Sequence, residues 1–181
     1  SGTNITLVDV NSINLGTVTA GGTLSVTAGT SITNSGTVLV SGVTNLTASA
    51  GDITLTTSGN DFTGAVNASG TNITLVDVNS INLGTVSAGG TLSVTAGTNI
   101  TQSGTLLVSG ATNLTASAGD ITLTTAGNDF TGAVNASGTN ITLVDVNSIN
   151  LGTVTAGGTL SVTAGTSITK SGTVLVSGVT N

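Results

Sequence analysis

The sequence contains no cysteine, histidine, proline, methionine, tryptophan, tyrosine, arginine or glutamate. Its charged side chains are seven aspartates and Lys170. Without histidine, cysteine or glutamate, the many serine and threonine hydroxyls have no base to activate them, and neither a Ser-His-Asp nor a Cys-His arrangement can be assembled. One lysine against a net charge of −6 cannot neutralise a phosphate backbone. Two aromatic rings, Phe62 and Phe130, cannot make a base-stacking platform, so nucleic acid is not expected as a partner. No apolar run approaches the roughly 20 residues of a membrane-spanning helix, and no basic amphipathic helix is present; no membrane insertion is expected. The absence of cysteine removes disulfides and suits a chain exported unfolded. The missing initiator methionine and signal segment read as a fragment or processed piece.

What remains is valine, isoleucine, threonine, serine, asparagine and glycine. Low charge with few aromatics also marks disordered chains, but those lack β-branched residues. The 27 glycines fall at regular intervals, as tight corners between strands require. Alternation in Asn4-Ile5-Thr6-Leu7 and Asp52-Ile53-Thr54-Leu55 has period two, which argues against helix.

Repetition dominates. SGTNITLVDVNSINLGTV begins at Ser1 and recurs at Ser69 and Ser137, a period of 68 residues. The units are 1–68, 69–136 and a partial 137–181, forming one continuous domain over 1–181. Differences between copies are mild, such as Thr19 against Ser87 and Val38 against Leu106. One position holds Asn34, Gln102 and Lys170 in turn, which predicts a solvent-facing site.

A unit this long divides into three coils, with Ile5, Leu24, Leu46 and then Ile73 as successive coil starts. Second strands carry Ile13, Ile32 and Ile53; third strands carry Val18, Val38 and Val66. The spacing predicts an all-β parallel β-helix, a β-solenoid with about three strands per coil and about eight coils, roughly 40 Å long at ~4.8 Å per coil. Ile5, Leu7, Ile13, Leu15, Val18, Leu24, Val26, Ile32, Val38, Val40, Leu46, Ile53 and Leu55 should face inward as aliphatic ladders. No single coil buries enough to fold alone, so stacking must supply the rest.

The third coil is longer near TTSGNDFTG, residues 56–64, which reads as a protruding turn with Phe62 and Phe130 folded back over their own coils. Outward, Asn4 and Thr6, Thr23 and Ser25, then Asn45 and Thr47 should form two polar columns on a flat face. Such a face offers an alternative function in binding ice or glycans. Alternation places Leu39, Leu107 and Leu175 outside, where they could support lateral bundling or tuck into a corner.

Motifs for small ligands are weak. GGTLSVTAG at Gly21 to Gly29 lacks the aspartate and the third spaced glycine of calcium-binding nonapeptides. Asp9, Asp77 and Asp145 read as a row spaced by three coils, roughly 14 Å, too far apart for paired-carboxylate catalysis. Asn60-Asp61 and Asn128-Asp129 read as turn-formers. No GxGxxG or phosphate loop is present, and sequons at Asn4, Asn45 and Asn67 arise readily in a chain this rich in serine and threonine. No catalytic residue, cofactor-binding residue or metal ligand is therefore assigned, no cofactor is expected, and the chain is not expected to be an enzyme.

The segment GNDFTGAVNASGTNITLVDVNSINLGTVSAGGTLSVTAG, residues 59–97, with ITQSG at Ile100 to Gly104 and GNDFTGAV at Gly127 to Val134, resembles the β-strand repeats of filamentous-haemagglutinin-like bacterial adhesins. The resemblance implies a right-handed parallel β-helix in a large exoprotein, exported by a two-partner pathway and displayed at the bacterial cell surface or outside it as a fibre for adhesion or biofilm. The expected partner is the chain itself, by continuation or by end-to-end stacking on open strand edges, with host or cell-surface glycans as further candidates.

Overall fold

The structure, a computed structural model, describes residues 1–178, all in strands and the turns between them. All inter-strand pairing is parallel, each strand stacking on the one a turn earlier. Two long sheets of 11 and 10 strands run the length of the stack, and a 3-stranded sheet closes one side of its first turns. The path through the longest sheet has nine strands, so the chain makes about nine turns where the sequence suggested about eight.

The aliphatic ladders form the core. Leu24, Ile32, Ile53, Ile73, Leu92, Ile121 and Ile149 are fully enclosed, while Ile5, Leu7, Ile13 and Val18, expected inside, lie half-buried in the first turn. Period-two alternation is what permits this: one set of side chains on each strand meets its counterpart above and below, and the other faces water. Phe62 and Phe130 are wholly buried, Phe62 stacked on Val40. The loop expected to protrude instead folds inward, with Asn60 and Phe62 enclosed and Ser58 exposed.

The register departs from the sequence reading in two places. Leu46 pairs with Val26, two residues along from the anticipated Leu24, which is opposed by Thr44. Thr44 and Thr112 consequently enter the core, and their hydroxyls find no hydrogen-bond partner. The second departure is larger. Leu46 is followed in its ladder by Ala68, and Ile73 stacks on Ile53 in the opposite sheet. Strand Ala65–Gly70, read as the third side of a long coil, opens a new turn; the third side is the short Asp61–Phe62, paired with Leu39 and Val40.

Each 68-residue unit therefore makes three and a half turns rather than three. The ITLVD strand lies in the 11-stranded sheet at Ile5–Asp9, in the 10-stranded sheet at Ile73–Asp77 and in the 11-stranded sheet again at Ile141–Asp145. Successive units present the same residues on opposite sides of the stack, and the original side returns after seven turns.

Candidate functional site

The regular outward columns are the main chemical feature. One runs Asn14, Thr33, Thr54, Thr74, Ser93, Asn113 and Asn135 along the 10-stranded sheet. Its counterpart on the other sheet includes Asn82, Thr101, Thr122, Thr142 and Ser161. The anticipated pair of columns exists in shifted form: Thr6, Ser25, Asn45 and Asn67 make one, and Val8, Thr27, Thr47 and Ser69 the other. Asn4 and Thr23 leave the flat face for the corner, where the Asn4 side-chain oxygen Oδ1 accepts the Thr23 N–H at 2.8 Å.

Among the described residues, a β-bulge interrupts each polar face once. Val66 opposes Leu83 and Ala68 opposes Val86, so Gly84 and Thr85 share the place opposite Asn67. The Asn67 side chain fills the gap, accepting the Thr85 N–H at 2.8 Å and donating to the Asn45 side-chain Oδ1 at 2.9 Å. A Cβ at Gly84 would collide with the Asn67 Oδ1, which is why the position is glycine. The bend leaves a shallow open depression of about 370 Å³ bordered by Asn45, Thr47, Asn67, Ser69, Thr85 and Ser87. An equivalent of about 270 Å³ lies on the opposite sheet, bordered by Asn113, Thr115, Asn135, Ser137, Thr153 and Thr155. The sequence reading missed both; the doubled residues opposite Asn67 emerge only from strand pairing.

The aspartates do not form a row. Asp9 and Asp145 lie on one sheet and Asp77 on the other. Asp77 and Asp145 are buried, and each bridges two turns: Asp77 accepts the Phe62 N–H at 2.7 Å and the Asn79 N–H at 2.7 Å. Asp145 accepts those of Phe130 and Asn147 at 2.8 and 2.7 Å. Burial, with the nearby Asp61 charge in support, holds the Asp77 carboxyl above its usual range despite these two hydrogen bonds. Asp9 is exposed and accepts the Asn11 N–H.

Asn60 and Asn128, read as local turn-formers, are completely buried. Their carbonyl oxygens accept a backbone N–H from the turn before, Val38 at 2.9 Å and Leu106 at 3.0 Å. Asn34 and Gln102, expected in solvent, turn into the same spot and bond to Asn60 and Asn128. The reason is steric and electrostatic together: the long third turn leaves strand N–H groups without a backbone partner, and an amide side chain supplies one. Lys170, the third residue of the series, is exposed in the last described turns.

Among the described residues, no three or more His, Cys, Asp or Glu side chains are gathered in a group that could hold a metal ion. The geometry thus offers long neutral faces, two shallow depressions and internal polar clamps.

No curated protein and no solved structure matches the chain. A family model described as repeats of unknown function matches residues 2–69, 70–137 and 138–181. With these matches covering nearly its whole length, the chain belongs to that family, DUF5649, a repeat family whose fold in this member is a parallel β-solenoid.

Proposed function

We propose that this chain is a stretch of a stiff structural rod in a large secreted repeat protein, displayed at a bacterial surface as a fibre for adhesion or as biofilm matrix, in the manner of filamentous-haemagglutinin-like adhesins. It works by length and repetition, without catalysis. One observation carries the reading: the aliphatic core continues from Leu24 to Leu160 with every turn hydrogen-bonded to the next. Stacked parallel strands resist bending because each turn is fixed by two neighbours, and each added unit lengthens the rod. The chief partner is the chain itself, through continuation or end-to-end stacking of turns.

The test is length against copy number. Chains carrying two, four and eight units, measured by small-angle scattering and negative-stain microscopy, should lengthen by about 17 Å per unit at ~4.8 Å per turn without thickening. Particles that grow in all dimensions would overturn the rod. Adhesion is tested separately by retention of rod-coated beads on cell and glycan surfaces; retention no better than for uncoated beads removes that part.

The unbroken Thr33, Thr54, Thr74 and Thr101, Thr122, Thr142 columns favour a second reading, an ice- or glycan-binding face. Thermal hysteresis and glycan arrays comparing wild type with Thr54→Lys and Thr122→Lys together decide it; identical responses eliminate it.

A further inference from the structure

Each depression has an apolar knob beside it. In the column Thr47, Ser69, Ser87, Leu107, the first three border the depression and Leu107 stands directly above Ser87, 46% exposed. On the opposite sheet Leu175 stands above Thr155 in the same way, 58% exposed. Leu39, the first-unit equivalent, stands above Thr19 with no bulge or depression beneath it.

Knob and hollow share one column, two turns apart, with Ser87 midway. This arrangement is self-complementary. A two-fold axis across the column at Ser87 turns a second rod antiparallel, face to face, and carries its Leu107 onto the first rod's Ser69 depression while the reverse contact forms at the same time. The Leu46 and Ala68 side chains face the core, so the floor is their backbone, and the apolar contact open to a seated leucine comes from the bordering Thr47 and Thr85, each of which carries a methyl group. No charged side chain lies among Asn45, Thr47, Asn67, Ser69, Thr85, Ser87 and Leu107, so no like charges are opposed at the centre of the pair. Asp129, one turn above Leu107, falls opposite the partner's hydroxyl-bearing turn.

We infer that two copies of this chain pair side by side and antiparallel, Leu107 of each seated in the other's Asn67–Ser69 depression. The half-turn offset between units then supplies a second such face, centred on Thr155, on the opposite side of the rod. Rods so equipped associate into flat layers, each rod held on both sides. The inference rests on the rod reading above, and the two fail separately.

The absence of native cysteine makes the test clean. Ser69→Cys, Ser87→Cys and Leu107→Cys variants are made singly, with Thr54→Cys as a control for random collision, and circular dichroism confirms that each keeps the wild-type strand signal. Under mild oxidation Ser87→Cys should cross-link to itself, and Leu107→Cys should cross-link to Ser69→Cys at least tenfold faster than to another Leu107→Cys. Raising the salt concentration should speed both reactions by screening the net charge of −6. Adding Leu107→Lys should abolish the Ser87 cross-link, and adding Leu39→Lys should leave it intact. Preferential linkage of Leu107→Cys to itself would mean parallel pairing and overturn the inference, as would rates no higher than the control's. Rods of the expected length that never cross-link would sink this inference alone; failure to form rods would sink the reading beneath it.

Discussion

In the first unit the Asn34 side-chain amide donates to the Asn60 carbonyl oxygen at 2.9 Å and its own oxygen accepts the Thr56 N–H, but the Asn60 amide nitrogen, wholly buried, has no partner. In the second unit Gln102 stands in place of Asn34. Its amide donates to the Asn128 carbonyl oxygen at 2.8 Å, and its oxygen accepts both the Thr125 N–H and the Asn128 amide at 3.2 and 2.8 Å. One additional methylene lets the two amides exchange hydrogen bonds in both directions. Two copies of nearly the same sequence thus differ in whether a buried polar group is satisfied, although the exchange of Asn for Gln reads as neutral.

The sharpest way to break that comparison is to remove the buried amide. Asn128→Leu strands the Leu106 N–H and takes one hydrogen bond from each end of Gln102, which keeps the Gly104 carbonyl and the Thr125 N–H as partners. It should cost roughly 2–4 kcal/mol, against roughly 1–3 for Asn60→Leu, which also discards an amide nitrogen that had no partner, taking about 1–3 for each unsatisfied buried group. Urea midpoints measure the total, and amide exchange at Leu106 and Val38 localises it, since stacked turns open regionally. Equal costs at the two sites would contradict the reciprocal pairing.

A second pair of equivalent positions widens the contrast. Gly84 faces Asn67 at the bulge, whereas a methyl group at Gly16 would meet nothing within 4 Å and project into open space. Gly84→Ala must displace the Asn67 side chain from the Thr85 N–H and should cost about 1–3 kcal/mol; Gly16→Ala should stay within about 0.5 kcal/mol. Thermal denaturation of the two variants beside wild type checks both.

Exchanging the amides sharpens the comparison directly. Asn34→Gln should stabilise the first unit by about 1–2 kcal/mol by engaging the Asn60 amide nitrogen, and Gln102→Asn should lose a similar amount. Midpoints that move together, or not at all, would show that the methylene is not the cause.

The smallest effect is confined to a pH window. The native Asp77 carboxyl is held above its usual value of 3.8 by burial, so the folded chain binds a proton more readily there than the unfolded chain. The stability this contributes is complete below 3.8 and lost as pH rises through the elevated native value. The stability difference between wild type and Asp77→Asn, followed by urea denaturation across acidic pH, should shift against wild type over that interval and then level off.

Much of the fold was legible beforehand. The inward sets around Ile32, Val38, Ile53 and Leu55 follow from alternation, and the parallel stack follows from the repeat. Three things were not. Val66 alternates correctly whether its strand closes one turn or opens the next, so only hydrogen bonding to Thr44 and Asn45 decides between them. Thr44 looks like an ordinary surface threonine until Leu24 is found opposite. Asn60 looks like a turn residue because the unpaired Val38 N–H that it serves lies 22 residues away.

The amino-acid sequence by itself determined the parallel stack, its aliphatic interior and its neutral exterior, because period-two alternation and near-identical repeats leave one way to bury the same side chains together. Tertiary structure alone decided that a unit closes after three and a half turns, that its faces alternate sides, and that a bulge hollows each face. Those outcomes depend on which distant backbone groups pair, and the energy of a pairing belongs to both strands at once.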